Sequence, residues 1–469
     1  MPSTSAPESV ELAGFLLTRQ WRESQGGIVV ELWFATARGP VQVEIEGERA
    51  VFFLAAPEAE QQRALLALQA GVELKPLGLR NFAMQPVTGV YSPSYRQSRS
   101  LADRLLERGA DPLEADINPA DRYLMERFIT GGAQLAGQLE QRTGHGYMRN
   151  PQLRPAALRP QLTMASFDIE TAMEGLQLYS RRVFMLGACD AGEQVEALPT
   201  QRAVLERFLD FIAEVDPDVL VGWNVVNFDT WYLQRLADAL GVPLRLGRAG
   251  TTVHWRTLDE DGERRSARLP GRLLMDGIEL LRAAFYRFES FALDAVAREL
   301  LGTGKLLQGA GRGQEIGRLF QEDKARLAAY NLRDCELVSD IFAHAGLLDF
   351  AIARSVMTGL NPDRLGGSVA SFDNLYLPRL HRAGFVAPNP QRDQEPSPGG
   401  VVLDSRPGLY RHVLVLDFKS LYPSIIRTFC IDPLGLALGL ANPRQEASVP
   451  GFAGARFARR GHILPALIE

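Results

Sequence analysis

Sulfur chemistry is scarce in this chain. Its 469 residues include three cysteines, Cys189, Cys335 and Cys430, odd in number and far apart. That count argues against a disulfide framework and fits reduced thiols in a cytoplasmic protein. No cysteine belongs to a C-x-x-C pair and the six histidines are scattered, so no zinc site is expected. The start, Met1 to Val10, is polar and lacks the basic and apolar regions of a signal peptide. No uninterrupted apolar stretch approaches the roughly 18–20 residues that cross a bilayer, so no membrane partner is expected. Excess positive charge is missing too. The formal net charge is −5, which argues against a passive coat for a polyanion and leaves only local basic grooves for such contacts. Internal repeats and long low-complexity tracts are absent.

What is present is ordinary globular material, 46% hydrophobic and 23% charged, long enough for about three domains. After a polar tail over residues 1–9, Gly14 to Pro57 alternates apolar and polar residues as strands do, with Arg38-Gly39-Pro40 supplying a turn. Helices are expected at Glu58–Gly71, Gln97–Arg108 and Asp121–Ile129, and the Pro/Arg-rich Gln152–Pro160 reads as a domain boundary. Strands are then expected at Leu162–Ile169, Val183–Cys189, Gln194–Leu198 and Asp218–Trp223. Helices are expected at Gln201–Val215, Asp229–Leu240, Leu293–Leu301 and Lys324–Gly346. That order fits a mixed sheet covered by helices, an α/β arrangement of the RNase H-like kind. Asp349 to Val386 reads as helical, Asn389–Gly400 as a linker loop, and Arg411–Asp417 as an apolar strand.

Four carboxylates come from three separated segments: Asp168 and Glu170 from Phe167-Asp168-Ile169-Glu170-Thr171, Asp229 from Gly222-Trp223-Asn224-Val225-Val226-Asn227-Phe228-Asp229, and Asp334 from Tyr330-Asn331-Leu332-Arg333-Asp334. Two residues apart on a strand, Asp168 and Glu170 share one face. Tyr330 and Asp334, four apart on a helix, do likewise. Each residue has a plainer reading: a chance acidic triplet, a first-turn helix acid at Asp229, a solvated helical Asp334, a packing Tyr330, a turn residue at Asn224. Buried carboxylates that converge repel one another, however, and a fold gathers them chiefly to hold divalent cations.

Together these segments resemble the DEDD exonucleases of the tyrosine subtype, in the form found in family B DNA polymerases. The resemblance implies 3′→5′ proofreading hydrolysis with two Mg²⁺ ions per site, Mn²⁺ being the alternative. Asp168, Glu170, Asp229 and Asp334 would be the metal ligands, Tyr330 would orient the attacking water, and Asn224 would contact the DNA end.

A fifth carboxylate, Asp417, stands in Asp417-Phe418-Lys419-Ser420-Leu421-Tyr422-Pro423-Ser424-Ile425-Ile426, which is similar to the first catalytic motif of family B polymerases. By that likeness Asp417 would bind both ions of the polymerase site. Phe418, Ser420, Leu421 and Tyr422 would meet the incoming deoxynucleoside triphosphate, and Tyr422 would reject a 2′-hydroxyl. Gly399-Gly400 matches the glycine pair of a DNA-contacting loop whose tyrosine is replaced here by Ser397. Segments spread over the chain look like the bacterial, DNA polymerase II type of that family. The likeness implies a nucleoid-associated replication and repair enzyme whose partners are primer–template DNA, a single-stranded 3′ end and a sliding clamp.

The expected domains are a β-rich 1–150, an exonuclease domain 151–350, a helical connector 351–400 and the start of a polymerase palm at 401–469. After Asp417 the chain has only Asp432, Glu446 and Glu469 as acids, none in the family's later DTD motif. Only the exonuclease site is therefore expected to be complete. A stand-alone single-strand exonuclease and a non-catalytic DNA-binding scaffold are the alternatives. Arg272, Arg282, Lys305 and Arg354 are candidate backbone contacts.

Overall fold

Alternating β-branched and aromatic residues at the start of the chain build four strands in succession: β1 (Glu8–Ser24), β2 (Gly27–Thr36), β3 (Gly39–Glu48) and β4 (Ala50–Ala55). The β2–β3 turn closes with Thr36 opposite Gly39, where φ is +93°, a conformation glycine adopts without strain. The computed structural model describes residues 7–171, 186–187, 200–262, 264–306, 312–389, 403–442, 447–451 and 454–468. Next come α1 (Ala56–Gln61), α2 (Arg63–Ala67), β5 (Glu73–Arg80), β6 (Pro86–Ser92), α3 (Tyr95–Glu107) and α4 (Pro119–Met125). They are succeeded by β7 (Gly132–Arg142), β8 (His145–Arg149), β9 (Gln152–Pro155), β10 (Met164–Ser166), β11 (Leu186–Gly187), α5 (Gln201–Val215) and β12 (Val219–Gly222). Then come α6 (Trp231–Leu240), β13 (His254–Thr257), β14 (Arg265–Arg268), β15 (Leu273–Asp276), α7 (Gly277–Ala283) and α8 (Leu293–Leu301). The longer helices α9 (Arg312–Glu322), α10 (Lys324–His344), α11 (Leu347–Thr358) and α12 (Ser368–Arg382) precede α13 (Leu421–Phe429) and α14 (Pro433–Ala441).

The chain forms two units. The first joins Met1–Glu48 to Pro119–Asn374, and the second joins Arg49–Asn118 to Leu375–Glu469. Residues 1–150 are thus divided between them, and so is the stretch 351–400. Strand pairing gives the reason: β1, β2 and β3 share a six-stranded sheet with β8, β7 and β9, whereas β4, β6 and β5 form a sheet of their own. Gln152–Pro155 is accordingly not a boundary but the strand β9, paired with β7 and anchored by buried Leu153.

In the first unit the central sheet runs β11-β10-β12-β15. Strand β11 is antiparallel to β10, and β10, β12 and β15 are parallel to one another. Alternation along the strands sends Ala165, Leu220 and Leu274 into one core with Phe208 of α5 and Leu233 of α6. Val219, Val221, Leu273 and Met275 point the other way, toward Leu280 of α7, Val296 of α8 and Leu337 and Ile341 of α10. Both faces are covered, which explains the near-continuous apolar strands. Phe15 and Leu17 of β1 belong to this second core, so the N-terminal sheet is welded to the first unit. Helix α5 starts where the Thr200 hydroxyl accepts from Ala203 N at 3.1 Å, and it buries Val204, Leu205, Phe208 and Ile212. Each such burial contributes about 1.5–3 kcal/mol. The expected strands Val183–Cys189 and Gln194–Leu198 lie outside the described residues, apart from Leu186–Gly187.

The second unit has a core within the excursion itself, where Phe52, Leu54, Ala59, Leu66, Val90, Leu101 and Leu105 pack together. A smaller cluster joins Phe53, Val87 and Leu113 to Val386. Here the expected strand Arg411–Asp417 is not formed: the residues lack strand pairing, and Leu414, Val415 and Leu416 are 84–91% exposed. An apolar run becomes a strand only beside a partner, and no described strand lies against this one. Residues Leu421–Ala441 reach the length and mean hydropathy (1.4) of a membrane-crossing helix, although Arg427 and Asp432 interrupt the apolar run. Cys430 at φ +53° divides them into α13 and α14.

Candidate active site

Parallel strands deliver the segments after them to one end of a sheet. Here β10 leads to Asp168 and Glu170, β12 to Asn224 and Asp229, and β15 ends on Asp276. The first pair lies just beyond β10 rather than on it. Phe167 N donates to Val221 O at 3.1 Å, which extends the pairing by one residue, and the buried Phe167 ring packs on Phe208. Phe167 is therefore a core residue. Gly222 is needed at the end of β12, since a Cβ there would meet Val225 Cβ at 2.7 Å and Phe167 O at 3.0 Å.

Asp229 does not open an ordinary helix. It sits in a π-helical turn, Val226–Thr230, ahead of α6, closed by Thr230 N donating to Val225 O at 2.8 Å. Such wide turns concentrate at functional sites. Asp229 is 1% exposed and its Oδ1 accepts from Ile169 N at 3.1 Å, which fastens it to the backbone between Asp168 and Glu170. Burial, and then the charge of Asp168, hold its carboxyl well above the usual range.

On α10, Tyr330 and Asp334 face the same point, both buried. Ligand oxygens of Asp168, Glu170 and Asp334 lie within 4.8 Å of one another. Asn331 Nδ2 donates to Asp168 Oδ2 at 3.0 Å. Lys305 Nζ forms an ion pair with Asp334 and donates to the Tyr330 hydroxyl at 3.3 Å. Cys335, fully buried beside these acids, has its thiol pushed well up by burial and by Asp168 and Asp334, which makes it unreactive.

The donor set is all carboxylate oxygen with no sulfur or imidazole, which suits a hard divalent cation rather than zinc. The three converging acids and the suppressed ionisation of Asp229 are relieved by positive charge at this point, so the residues fit such an ion.

Of the residues that sequence reasoning gathers, Asp168, Glu170 and Asp334 converge, Asp229 is tied to the backbone between the first two through Ile169 N, and Tyr330 shares Lys305 with Asp334. Asn224 is exposed at φ +58° and its carbonyl accepts from Phe228 N at 3.0 Å. Phe228, to which the sequence reading gives no role, stands beside Asp229 and is 44% exposed, an aromatic face that its motif already contains. Lys305, a candidate backbone contact in the sequence, is instead engaged with Asp334 and Tyr330. Arg272 is corrected: it is buried and donates to Leu246 O at 2.7 Å and Pro217 O at 3.0 Å, so it cannot reach DNA. Arg354 is committed to the carbonyls of Arg364 and Gly366.

Asp417 and Phe418 lie in the second unit on an exposed, unpaired segment. Ser420, at φ +54°, caps α13, which starts at Leu421 and carries the exposed Tyr422. Among the described residues no second cluster of potential metal ligands accompanies Asp417. Gly399 and Gly400 lie outside the described residues.

This architecture, a helix-covered sheet with acids gathered at one end, coincides with what known proteins share with the chain. Residues 173–296 match the DNA polymerase family B exonuclease domain, and 367–443 match DNA polymerase family B. Residues 14–48 match the DNA polymerase II N-terminal family, and 50–110 its insertion domain. The chain belongs to the family B DNA polymerases. It is similar to DNA polymerase II of Escherichia coli (strain K12), at 45% identity over 97% of this chain and 60% of that protein. A DNA polymerase of Thermococcus sp. (strain 9oN-7) is 28% identical over 61% of the chain and 39% of its own length. The solved family B DNA polymerase of Pyrobaculum calidifontis superposes with a TM-score of 0.76 at 25% identity, over 97% of this chain and 62% of that one. The chain thus spans less than two thirds of these relatives. Asp229 lies inside the matched exonuclease stretch. Asp168, Glu170, Tyr330 and Asp334 lie outside it and rest on their geometry.

Proposed function

We propose that this chain carries a metal-dependent 3′→5′ exonuclease for single-stranded DNA ends, the proofreading part of a bacterial, cytoplasmic family B polymerase. The observation that supports it is the convergence of Asp168, Glu170 and Asp334 within 4.8 Å, with Asp229 hydrogen-bonded into the same backbone. Asp168, Glu170, Asp229 and Asp334 would hold two Mg²⁺ ions, with Mn²⁺ as substitute. Bound there, the ions supply Lewis-acid charge on the scissile phosphate and lower the pKa of water.

The remaining work falls to the chain's own side chains. Asn331 fixes the rotamer of Asp168 through its 3.0 Å bond. Tyr330, with the Lys305 ammonium donating to its oxygen, keeps its proton and orients the attacking water, because a phenol is a poor base near neutral pH. Phe228 offers a face for stacking the terminal base, and Asn224 is open to the strand.

The longer relatives' polymerase activity is part of this reading. Asp417, Phe418, Ser420, Leu421 and Tyr422 would serve it with deoxynucleoside triphosphates, primer–template DNA and a sliding clamp. Within these residues the support is confined to motif and family.

The test is stepwise degradation of 5′-labelled single-stranded DNA by the 469-residue chain with Mg²⁺, beside Asp168→Ala. Shortening from the 3′ end that vanishes in the variant supports the reading. Well-folded protein that leaves the DNA intact overturns it and favours a DNA-binding scaffold.

A further inference from the structure

The turn that carries Asp229 is held from two sides by side chains two positions apart. Asp229 Oδ1 accepts from Ile169 N at 3.1 Å, and Asn227 Oδ1 accepts from Arg265 N at 3.0 Å. Both residues belong to the π-helical turn Val226–Thr230. The first bond ties the turn to the segment between Asp168 and Glu170. The second ties it to the two-stranded antiparallel sheet of β13 and β14, at the first residue of β14. A two-stranded sheet alone is marginal in water, but this one is anchored. Trp255 and Ala267 pack against the core that contains Phe208 and Leu233. Trp255 Nε1 donates to Gln234 Oε1 of α6 at 3.0 Å, and its ring meets that of Trp231 edge-on at 5.0 Å. The Arg265 guanidinium lies 4.3 Å from the centre of the Trp231 ring.

We infer that Asn227 is a positioning residue for the metal site: by bonding Arg265 N it braces the π-helical turn against the β13–β14 sheet and so fixes where Asp229 stands relative to Asp168. The inference rests on the exonuclease reading. The plainer role for Asn227 is to finish the edge of the sheet. That edge does not require it, because Asn227 and Arg265 are both only half-buried and water can satisfy an N–H within its reach. The turn does require a brace. Asp168 and Asp229 repel each other when both are ionised, and a turn fastened at Ile169 N alone can swing to relieve that repulsion. Asn227 supplies the second point of attachment, and it does so next to Phe228, whose exposed ring is carried by the same turn.

The test breaks the bond from either end in the whole chain. Asn227→Ala removes the acceptor. Arg265→Pro removes the donor and leaves the turn's own sequence intact; this N–H points away from the β13–β14 ladder, where proline is tolerated. Arg265→Ala keeps the N–H and removes only the guanidinium over Trp231, so it reports what loosening the sheet does by itself. The readouts are the Mg²⁺ concentration for half-maximal cleavage of single-stranded DNA and the rise in Tm on adding Mn²⁺ to metal-free protein. Groups that orient metal ligands typically change affinity about 10- to 100-fold, and a shift to higher Mg²⁺ near the lower end of that range is expected in Asn227→Ala and in Arg265→Pro. The Mn²⁺-induced Tm rise should shrink in the same two variants, with both readouts near those of the parent in Arg265→Ala. If one of the two fails to fold, the other decides. Unchanged metal dependence in them overturns the inference, and so does an equal shift in Arg265→Ala, which would trace the effect to the sheet as a whole. A parent protein with neither metal-dependent cleavage nor a Mn²⁺-induced Tm rise would instead overturn the exonuclease reading itself.

Discussion

Lys305 and Asp334, 29 positions apart in the chain, form an ion pair at the carboxylate cluster, and the same ammonium lies 3.3 Å from the Tyr330 hydroxyl. The lysine is only 11% exposed and the aspartate 2%, so the pair is held largely away from water. Its positive charge stands where a divalent cation would compete for Asp334.

Lys305→Met removes that competitor while keeping the side-chain length. We expect Mg²⁺ to act at lower concentration, yet cleavage to slow by up to about tenfold because the hydroxyl of Tyr330 loses its donor. Metal-free protein should melt earlier, since Asp334 is left buried without this counter-charge. Single-turnover cleavage across a Mg²⁺ series, with melting in EDTA, checks all three. An unmoved Mg²⁺ dependence would show that the ion pair does not compete.

Tyr330→Phe should cost about tenfold in cleavage rate with the Mg²⁺ dependence unchanged, as befits an orienting group rather than a base or ligand. A loss as deep as that of Asp168→Ala would assign the hydroxyl a larger part. The comparison is a rate measurement at saturating Mg²⁺.

Asp276 gives a pH signature. Folding raises its carboxyl from the ordinary 3.8 to about 6, chiefly through burial. Between those values the folded chain binds more protons than the unfolded one. The stability this group contributes is therefore full below pH 4 and is lost as pH rises through 6. Asp276→Asn does not titrate. Relative to the parent, it should gain on the order of 3 kcal/mol between pH 4 and pH 7, with no further change above. Urea unfolding in EDTA across that range measures the difference, and a flat difference would contradict the raised value.

Gly222→Ala places a methyl 2.7 Å from Val225 Cβ and 3.0 Å from Phe167 O. Overpacking of this kind costs about 1–3 kcal/mol, and the backbone shift needed to relieve it falls between Asp168 and Asp229. Lower stability together with weaker Mg²⁺ dependence is expected. Denaturant unfolding and a Mg²⁺ titration track the two effects separately.

The segment Val413–Leu416 is exposed and unpaired, an arrangement that promotes association through open backbone and apolar surface. Leu414→Ser with Leu416→Ser should lower self-association of the 469-residue chain in sedimentation while leaving cleavage unaltered. Equal association in both proteins would locate the contact elsewhere.

The legible part of this molecule is the part written in local patterns. Asp168-Ile169-Glu170 and Tyr330 with Asp334 carry their spacing in the sequence, and Thr200 and Gly241 mark the ends of helices that form where expected. The place of Lys305 at the cluster is not legible, because its partners, Asp334 and Tyr330, are distant in sequence and meet it only after the fold is assembled. The division at Glu48 and Pro119 is hidden for the same reason: β3 and β4 look alike as sequences, and only pairing sends them to different sheets. Arg411–Asp417 errs in the opposite direction. Its apolar run states a propensity, and a strand needs a neighbour that no local pattern can supply.

The split path of the chain also sets a timetable for synthesis. Every residue of the carboxylate-bearing unit precedes Leu375, so that unit can close on the ribosome while the other still lacks its second half. Phe52, Leu54 and Leu101 already have one another within the early segment and can bury themselves at once. Phe53, Val87 and Leu113 must wait for Val386. During that interval one side of the β4–β6 sheet stays wet, and a pause in translation just after Asn374 prolongs its exposure.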